Sequence, residues 1–344
     1  MDAFDLLSEP LRTLARERLG EPTAPQRLAI PRILAGESVL IVAPTGTGKT
    51  EAAMLPLLDL LRREERGGVR LLYVTPLRAL NRDVMERLEL WCSRLDLRIG
   101  VRHGDTPRSE RRAQAISPPD VLITTPETLQ VLLAARSLRA HLSRVGHVVV
   151  DEVHELAESK RGAQLSLALE RLRAISGGFQ VVGLSATVGS PERVAEFLAG
   201  SSGGVEVVAA EEAKRMEVSV LLPEAAAPDP EAEALGLAPE VAARLREIVR
   251  LIESVGSCLV FTNTRPTAEV LGSRLRAAVP SLPTRVHHGS LAADERVGAE
   301  SGLKRGRLRA VVCTSSLELG VDIGTVDLVV QYGSPRQAVR LVQR

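Results

Sequence analysis

Short, uninterrupted apolar runs recur along this chain, separated by longer stretches whose apolar positions return at helical spacing. The first series is VLIVA (39–43), LLYVTP (71–76), VLITTP (121–126), HVVVDE (147–152) and QVVGLSAT (180–187). A second follows, SCLVFTN (257–263), TRVHH (284–288), RAVVCTS (309–315) and DLVVQYG (327–333). Runs of this length without polar alternation predict strands buried on both faces, as in parallel sheets covered by helices. The segments between them, such as TEAAMLPLLDLLRREE and PEVAARLREIVRLIESV, have the spacing of amphipathic helices. Repeated strand–helix alternation predicts an α/β architecture of two tandem parallel-sheet domains. The stretch PEAAAPDPEAEALGLAP (223–239), rich in Pro, Ala and acidic residues, interrupts the alternation and predicts a linker or exposed insertion. The expected division is a first domain over 1–208, a linker region over 209–240 and a second domain over 241–344.

Composition narrows the class. A chain of 344 residues exceeds one ordinary core and suits two domains. Aromatic residues are only 2%, which argues against a single-strand binder built from many stacking rings. With 44 basic and 43 acidic side chains, net charge gives no reason to expect a nucleic-acid partner. Backbone N–H groups and helix N-termini can nevertheless hold phosphates without net basic charge. Cys92, Cys258 and Cys313 are scattered, with no CxxC pair, so neither a disulfide framework nor a zinc site is expected. The N-terminal segment carries charges among its apolar residues, unlike a signal peptide, and no apolar run approaches the ~18 residues of a membrane span. A soluble, cytoplasmic, monomeric protein without membrane contact is the expectation.

Two motifs then point to chemistry. VLIVAPTGTGKTEAA sets a glycine-rich loop between a predicted strand and a predicted helix. Gly46 and Gly48 let the backbone wrap phosphates, Lys49 reaches the β/γ-phosphates and the Thr50 hydroxyl suits Mg²⁺. Ala43 stands where the usual pattern has its first glycine; the plain alternative is a flexible surface turn. VVVDEVH (148–154) ends an apolar strand in two acids. Asp151 suits a metal bridging phosphates and Glu152 the attacking water, although adjacent acids can equally form a solvated turn. In an open parallel sheet ligands bind at the carboxyl ends of the strands, where both motifs fall, so together they predict nucleoside triphosphate hydrolysis.

With these motifs in order, the chain resembles superfamily 2 helicases of the DExH type. Pro25-Gln26 precedes APTGTGKT (43–50), TPLRAL (75–80), TTPETL (124–129), DEVH (151–154) and SAT (185–187). LVFTNTR (259–265), VHHGS (286–290) and TSSLELGVDIG (314–324) continue the series, so the likeness covers nearly the whole length. RHGDTPRSER (102–111), DEVHELAESKRG (151–162) and GLSATVGSPERVAEFL (183–198) are similar to the Lhr, or large helicase-related, group.

The resemblance implies two RecA-like domains with ATP between them and nucleic acid across their outer faces. It implies that Gln26 reads adenine and that Thr45, Gly46, Thr47, Gly48, Lys49 and Thr50 form the nucleotide cradle. Gly320 and Asp322 would face the ribose and phosphates from the second domain. Thr50 and Asp151 would hold Mg²⁺, and Lys49, Asp151 and Glu152 would carry catalysis. Thr75, Arg78, Thr125 and Glu127 would lie near the nucleic-acid strand, as would Thr262, Arg265 and Thr314. His154, Ser185 and Thr187 would link hydrolysis to domain movement. Each also has a plainer reading. Thr-Pro favours a helix start, hydroxyls satisfy strand ends, and a lone histidine is a structural hydrogen bonder.

Other features carry less. His287 and His288 have no carboxylate or cysteine at ligand spacing and read as a strand terminus. Lys304, Arg305, Arg307 and Arg309 read as a solvated helix end, and Trp91 and Cys92 as packing on a helix face. The sequence closes on SPRQAVRLVQR, whose Gln343 and Arg344 resemble the opening of the family's last motif; the arginine finger that follows in the family lies beyond Arg344. The second domain is therefore expected to be incomplete at its C-terminus and the chain as given to bind ATP and nucleic acid but hydrolyse slowly or not at all. The resemblance implies an ATP-dependent 3′-to-5′ translocase on single-stranded DNA, in DNA repair or related processing. An RNA-directed DExH helicase and a non-hydrolysing ATP-gated clamp are the alternatives.

Overall fold

The computed structural model describes residues 2–76, 78–157, 159–186, 189–201, 203–210, 217–225, 229–234, 236–317, 326–336 and 341, the side chains of 78–83, 136–137, 231, 234 and 293 excepted. The chain divides into two compact units, Met1–Lys214 and Arg215–Arg344.

In the first unit, seven parallel strands follow one another as β1 (Val39–Val42), β2 (Leu71–Val74), β3 (Ile99–Arg102), β4 (Val121–Thr124), β5 (His147–Val150), β6 (Gln180–Ser185) and β7 (Glu206–Ala209). They lie side by side in the order β3-β4-β2-β5-β6-β1-β7. The connecting helices are α1 (Leu11–Leu19), α2 (Ala24–Leu34), α3 (Lys49–Arg63), α4 (Arg78–Arg94), α5 (Arg108–Ile116), α6 (Pro126–Ala134), α7 (Arg136–Leu142), α8 (Val153–Ala157), α9 (Lys160–Ser176) and α10 (Pro191–Ala199).

Alternation along each strand splits the core in two. Val39 and Ile41 of β1, with Leu71 and Tyr73 of β2, pack against α2, α3 and α4 on one face. Leu40 and Val42, with Leu72 and Val74, pack against α6, α8, α9 and α10 on the other. Both faces are apolar because both are covered, so the runs show no polar alternation. Trp91 and Cys92 of α4 are buried in the first of these layers.

Every apolar run singled out in the sequence forms a strand, but the ladders stop before the polar tails of the runs. Thr75, Asp151, Thr262 and Thr314 therefore stand just past a strand's carboxyl end. Two strands were not predicted, β3 and β7, and they are the two edges of the sheet. Ile99 and Val101 are only half-buried and Glu206 is exposed, so neither segment needs a continuous apolar run.

The second unit contains α11 (Pro230–Ala234), α12 (Pro239–Glu253), β8 (Cys258–Phe261), α13 (Arg265–Ala278), β9 (Thr284–His287), α14 (Ala293–Lys304), β10 (Ala310–Cys313) and β11 (Leu328–Gln331). Its four described strands are parallel in the order β11-β8-β10-β9. Part of the stretch read as linker is anchored here: Asp229 is buried, accepts from Ala232 N at 3.0 Å and pairs with Arg246 of α12 at 2.8 Å. All three cysteines are buried and form no disulfide.

Beneath the first sheet, Arg70 and Asp120 form an ion pair at 2.9 Å with both side chains buried, and Asp120 also accepts from Arg98 N at 2.8 Å. Removing one partner of a buried pair strands the other charge. Asp120→Ala is expected to cost about 3 kcal/mol or more in urea denaturation, whereas the double change Arg70→Met/Asp120→Leu should recover most of it. A loss under about 1 kcal/mol for Asp120→Ala would show that water reaches the pair.

Candidate nucleotide and nucleic-acid site

Parallel pairing sends the carboxyl ends of all seven strands of the first unit to one edge. Along that edge the strand order places Thr125 after β4, Thr75 after β2, Asp151 after β5, Ser185 at the end of β6 and the glycine-rich loop after β1. The loop carries two left-handed glycines, Gly46 with φ 78° and Gly48 with φ 79°. At Gly48 a Cβ would lie 2.5 Å from Gln26 Nε2, so both backbone angle and close approach require glycine. Gln26, buried in α2, donates from Nε2 to Gly48 O at 3.3 Å and accepts from Thr23 N at 3.0 Å. Thr23 in turn donates to Thr47 O at 2.9 Å, and Thr47 to Pro44 O at 2.8 Å. Lys49 donates from Nζ to Ala43 O at 2.6 Å and Pro44 O at 3.0 Å, while Thr50 follows it in the first turn of α3. The glutamine upstream and the loop are thus one hydrogen-bonded unit.

Next to it, the Asp151 carboxylate is held at both oxygens. Tyr73 of β2 donates its hydroxyl to Oδ2 at 2.6 Å, and Glu152 N donates to Oδ1 at 2.9 Å. Glu152 adopts a left-handed backbone with φ 46°, which turns the chain sharply between β5 and α8. His154 Nδ1 lies 3.3 Å from both Ser185 Oγ and Ala186 N, and 3.6 Å from Glu152 Oε2. His154 therefore joins the DEVH turn to the SAT segment.

Burial shapes the charges here. It raises the Asp151 pKa, against the lowering influence of the Tyr73 hydrogen bond, the Glu152 N–H and the Lys49 charge. Glu152 is pushed up to about 8, first by burial and then by the neighbouring Asp151 carboxylate. Burial and the Lys49 charge push His154 down to about 4, so it is neutral at pH 7. Two buried acids with too little positive charge around them fit a divalent cation. An oxygen set of Asp151 and the Thr50 hydroxyl is the hard-ligand chemistry of Mg²⁺, which keeps waters and phosphate oxygens for its remaining positions.

Sequence reasoning missed three residues around this cluster. Tyr73 is fully buried and its hydroxyl reaches the Asp151 carboxylate, and Arg87 of α4 pairs with Glu51 of α3 at 2.6 Å. A tyrosine in an otherwise aliphatic run, in a chain with 2% aromatics, was the available signal, since a buried phenol seeks a partner.

The residues expected near nucleic acid occupy varied settings. Thr75 is buried, with no hydrogen-bond partner for its hydroxyl. Thr125 caps α6, accepting from Thr128 N at 3.4 Å, and Glu127 pairs with Arg161 at 2.6 Å. Arg78 begins α4, its side chain outside the described residues, as are Thr187, Gly320 and Asp322 altogether. In the second unit, Thr262 is buried after β8 and donates to Cys313 O at 3.2 Å, while Arg265 is exposed at the start of α13. Thr314 follows β10, its hydroxyl 3.4 Å from Ser316 Oγ. The two histidines do meet carboxylates, supplied by the helices on either side of β9 in the chain. His287 Nε2 lies 2.7 Å from Glu300 Oε1, and His288 Nε2 lies 2.8 Å from Glu269 Oε1. Among the described residues no cluster of three or more His, Cys, Asp or Glu side chains could hold a metal.

Comparison with known proteins adds the family. Residues 23–197 match the DEAD/DEAH box helicase family and residues 240–344 the helicase conserved C-terminal domain. The ATP-dependent helicase Lhr-Core protein 2 of Thermococcus barophilus is 40% identical over 100% of this chain and 42% of its own length. The Lhr helicase/probable uracil glycosylase of Mycolicibacterium smegmatis is also 40% identical, over 94% of this chain and 24% of its own length. The chain thus spans well under half the length of these curated relatives. Among solved structures, Mycobacterium smegmatis helicase Lhr bound to ssDNA and AMP-PNP superimposes with a TM-score of 0.86 at 40% identity, covering 100% of this chain and 46% of that one. The DEAD-box helicase Mss116 bound to ssRNA shares the fold at 20% identity, with a TM-score of 0.80, over 100% of this chain and 72% of its own.

Two consequences are measurable. Tyr73→Phe removes only the hydroxyl on Asp151; it should leave nucleotide affinity in EDTA unchanged and weaken the Mg²⁺-dependent part about tenfold, read with a fluorescent ATP analogue. The second concerns pH in metal-free protein. Because burial holds the folded Glu152 pKa above the ordinary carboxylate value of 4.5, its stabilising contribution is complete below that value and is lost as pH rises through about 8. His154, lowered from 6.5, titrates on the acid side of that value. Between pH 6.5 and 8 the wild type should therefore lose stability while Glu152→Gln stays flatter, by melting temperature in EDTA. Parallel curves for the two proteins would refute the assignment of the raised pKa to Glu152.

Proposed function

This chain belongs to the DEAD/DEAH box helicase family, and we propose that it is the motor of an Lhr-type helicase, coupling ATP hydrolysis to movement on single-stranded DNA. The observation that carries this reading is the succession of the Lys49 loop, the Ser185–His154 contact and the Asp151–Glu152 turn on three neighbouring strand ends, β1, β6 and β5. The Lhr relatives named above support the helicase reading, and the ssDNA-bound Lhr structure supports DNA as the substrate. A 3′-to-5′ direction, a role in DNA repair and a monomeric cytoplasmic protein complete the proposal. Among the described residues no helix is long and apolar enough to cross a membrane.

In this reading, 1–208 is the ATP-binding domain, 209–240 the linker region and 241–344 the second helicase domain. Gln26 faces the adenine, the backbone of Thr45 to Thr50 surrounds the phosphates, and the Lys49 ammonium leaves its own loop's carbonyls for the γ-phosphate. Thr50 and Asp151 would hold Mg²⁺, which would supply neutralising positive charge for the phosphates. Glu152 would orient the attacking water and accept its proton once a bound cation offsets the burial and the Asp151 charge that push its carboxyl up to about 8. His154 passes the state of that turn to Ser185 and Thr187. Thr75, Arg78, Thr125 and Glu127 in the first unit are assigned to nucleic acid, as are Thr262, Arg265 and Thr314 in the second, and Gly320 and Asp322 are assigned to the nucleotide.

The test is nucleotide binding and ATP turnover with and without oligo-dT or oligo-U, beside Lys49→Ala. The expected result is binding that Lys49→Ala weakens, and turnover that rises with oligo-dT and falls about a hundredfold in the variant. A larger rise with oligo-U would make the motor RNA-directed. Binding of both ligands without turnover would make this chain an ATP-gated clamp, and failure to bind nucleotide would overturn the reading.

A further inference from the structure

One side chain given no role so far, although it lies within the DEVHELAESKRG segment, joins the two loops assigned to nucleic acid in the first unit. Arg161, in the first turn of α9, donates from Nε to Glu127 Oε1 at 2.6 Å and from Nη2 to Pro76 O at 2.5 Å. Glu127 lies in the first turn of α6, within TTPETL, and Pro76 in the loop after β2, within TPLRAL. A single guanidinium thus spans the two segments, a task for a planar fork of donors that a lysine ammonium does not reproduce.

The backbone behind it is well fixed. Ser159 caps α9, accepting from Gly162 N at 3.1 Å. Gly162 comes so near α8 that a Cβ there would overlap Leu156 O. Farther along, Gln130 of α6 donates to Gln164 O at 2.6 Å, and Arg171 donates to Gln130 Oε1 at 3.0 Å, so α6 and α9 are tied beyond their first turns. An exposed ion pair alone contributes little. Two features distinguish this one, the second bond to a backbone carbonyl and the location of its carboxylate. An unpaired Glu127 in the first turn of α6 would repel a phosphate approaching the N–H groups there.

We propose that Arg161 is a positioning residue for nucleic-acid binding. It ties the loop after β2 to the start of α6 and neutralises Glu127, so both loops meet the phosphate backbone as one surface. The proposal rests on the reading that these loops grip single-stranded nucleic acid. It also gives α8 and α9 a task, because the chain leaving Asp151 runs through α8 directly to Arg161.

The experiment measures the affinity of the full chain for fluorescent oligo-dT over a salt series, for wild type, Arg161→Ala, Arg161→Lys and Arg161→Ala/Glu127→Gln. A positioning role predicts a loss of about five- to tenfold in both single variants, with the slope of log affinity against log salt unchanged. Adding Glu127→Gln should restore part of the loss, and ATP-analogue affinity should stay at the wild-type value in the two Arg161 single variants. Melting temperatures report folding, and Arg161→Lys decides if the alanine variant is destabilised. Unchanged oligo-dT affinity in Arg161→Lys and Arg161→Ala would overturn the proposal. A slope reduced by about 0.7 would also overturn it, making Arg161 a direct phosphate contact. If wild type binds nucleotide but not oligo-dT, the nucleic-acid reading itself fails, and the proposal with it.

Discussion

Parallel pairing of the first sheet is the constraint on which the rest of this structure depends. Strands that all run the same way deliver every carboxyl end to one edge, and the order β4-β2-β5-β6-β1 decides which groups become neighbours there. Thr125, Thr75, Asp151, Ser185 and the Lys49 loop are far apart in the chain, yet they form a row because hydrogen-bonded strands lie about 5 Å apart. Covering both faces with helices keeps the strands largely apolar, so polar chemistry gathers at and just beyond the carboxyl ends of the ladders.

That edge is also where the molecule carries charge at a cost. Asp151 and Glu152 are buried side by side, and Lys49 and Arg87 are the cations that act on Asp151. Tyr73 holds the carboxylate from β2 in place of water, and His154 stays neutral between Glu152 and the SAT segment. Buried acids of this kind stay ionised only with a partner of opposite charge, and a phosphate-bound divalent cation would supply one. Elsewhere the structure compensates internally, as where Arg70 meets Asp120 under the sheet and where Asp229 meets Arg246 in the second unit. The contrast separates structural ion pairs from a site prepared for a ligand.

How much the sequence revealed followed the physics of each element. Central strands such as VLIV and HVVV are legible because burial on two faces demands unbroken apolar residues. The edge strands IGVR and EVVA escaped because one open side relaxes that demand. The loop with Gly46, Gly48 and Lys49 was legible because its backbone geometry and phosphate chemistry restrict each position. Thr125 looked like a phosphate contact, and its hydroxyl caps α6; the same side chain suits either task until its surroundings are known. His287 and His288 lacked carboxylates at ligand spacing, and each finds one from another helix.

The amino-acid sequence by itself determined the α/β class, the positions of the central strands and the local chemistry of the nucleotide loop and the DEVH turn. These depend on neighbours within a few residues, through period, burial and backbone angle. Only the tertiary structure decided that Tyr73 holds Asp151, that Gln26 is bonded to Gly48, and that Arg161 spans Pro76 and Glu127. Those pairings join different strands and helices, and their partners are chosen by strand order and helix packing, which no local pattern encodes.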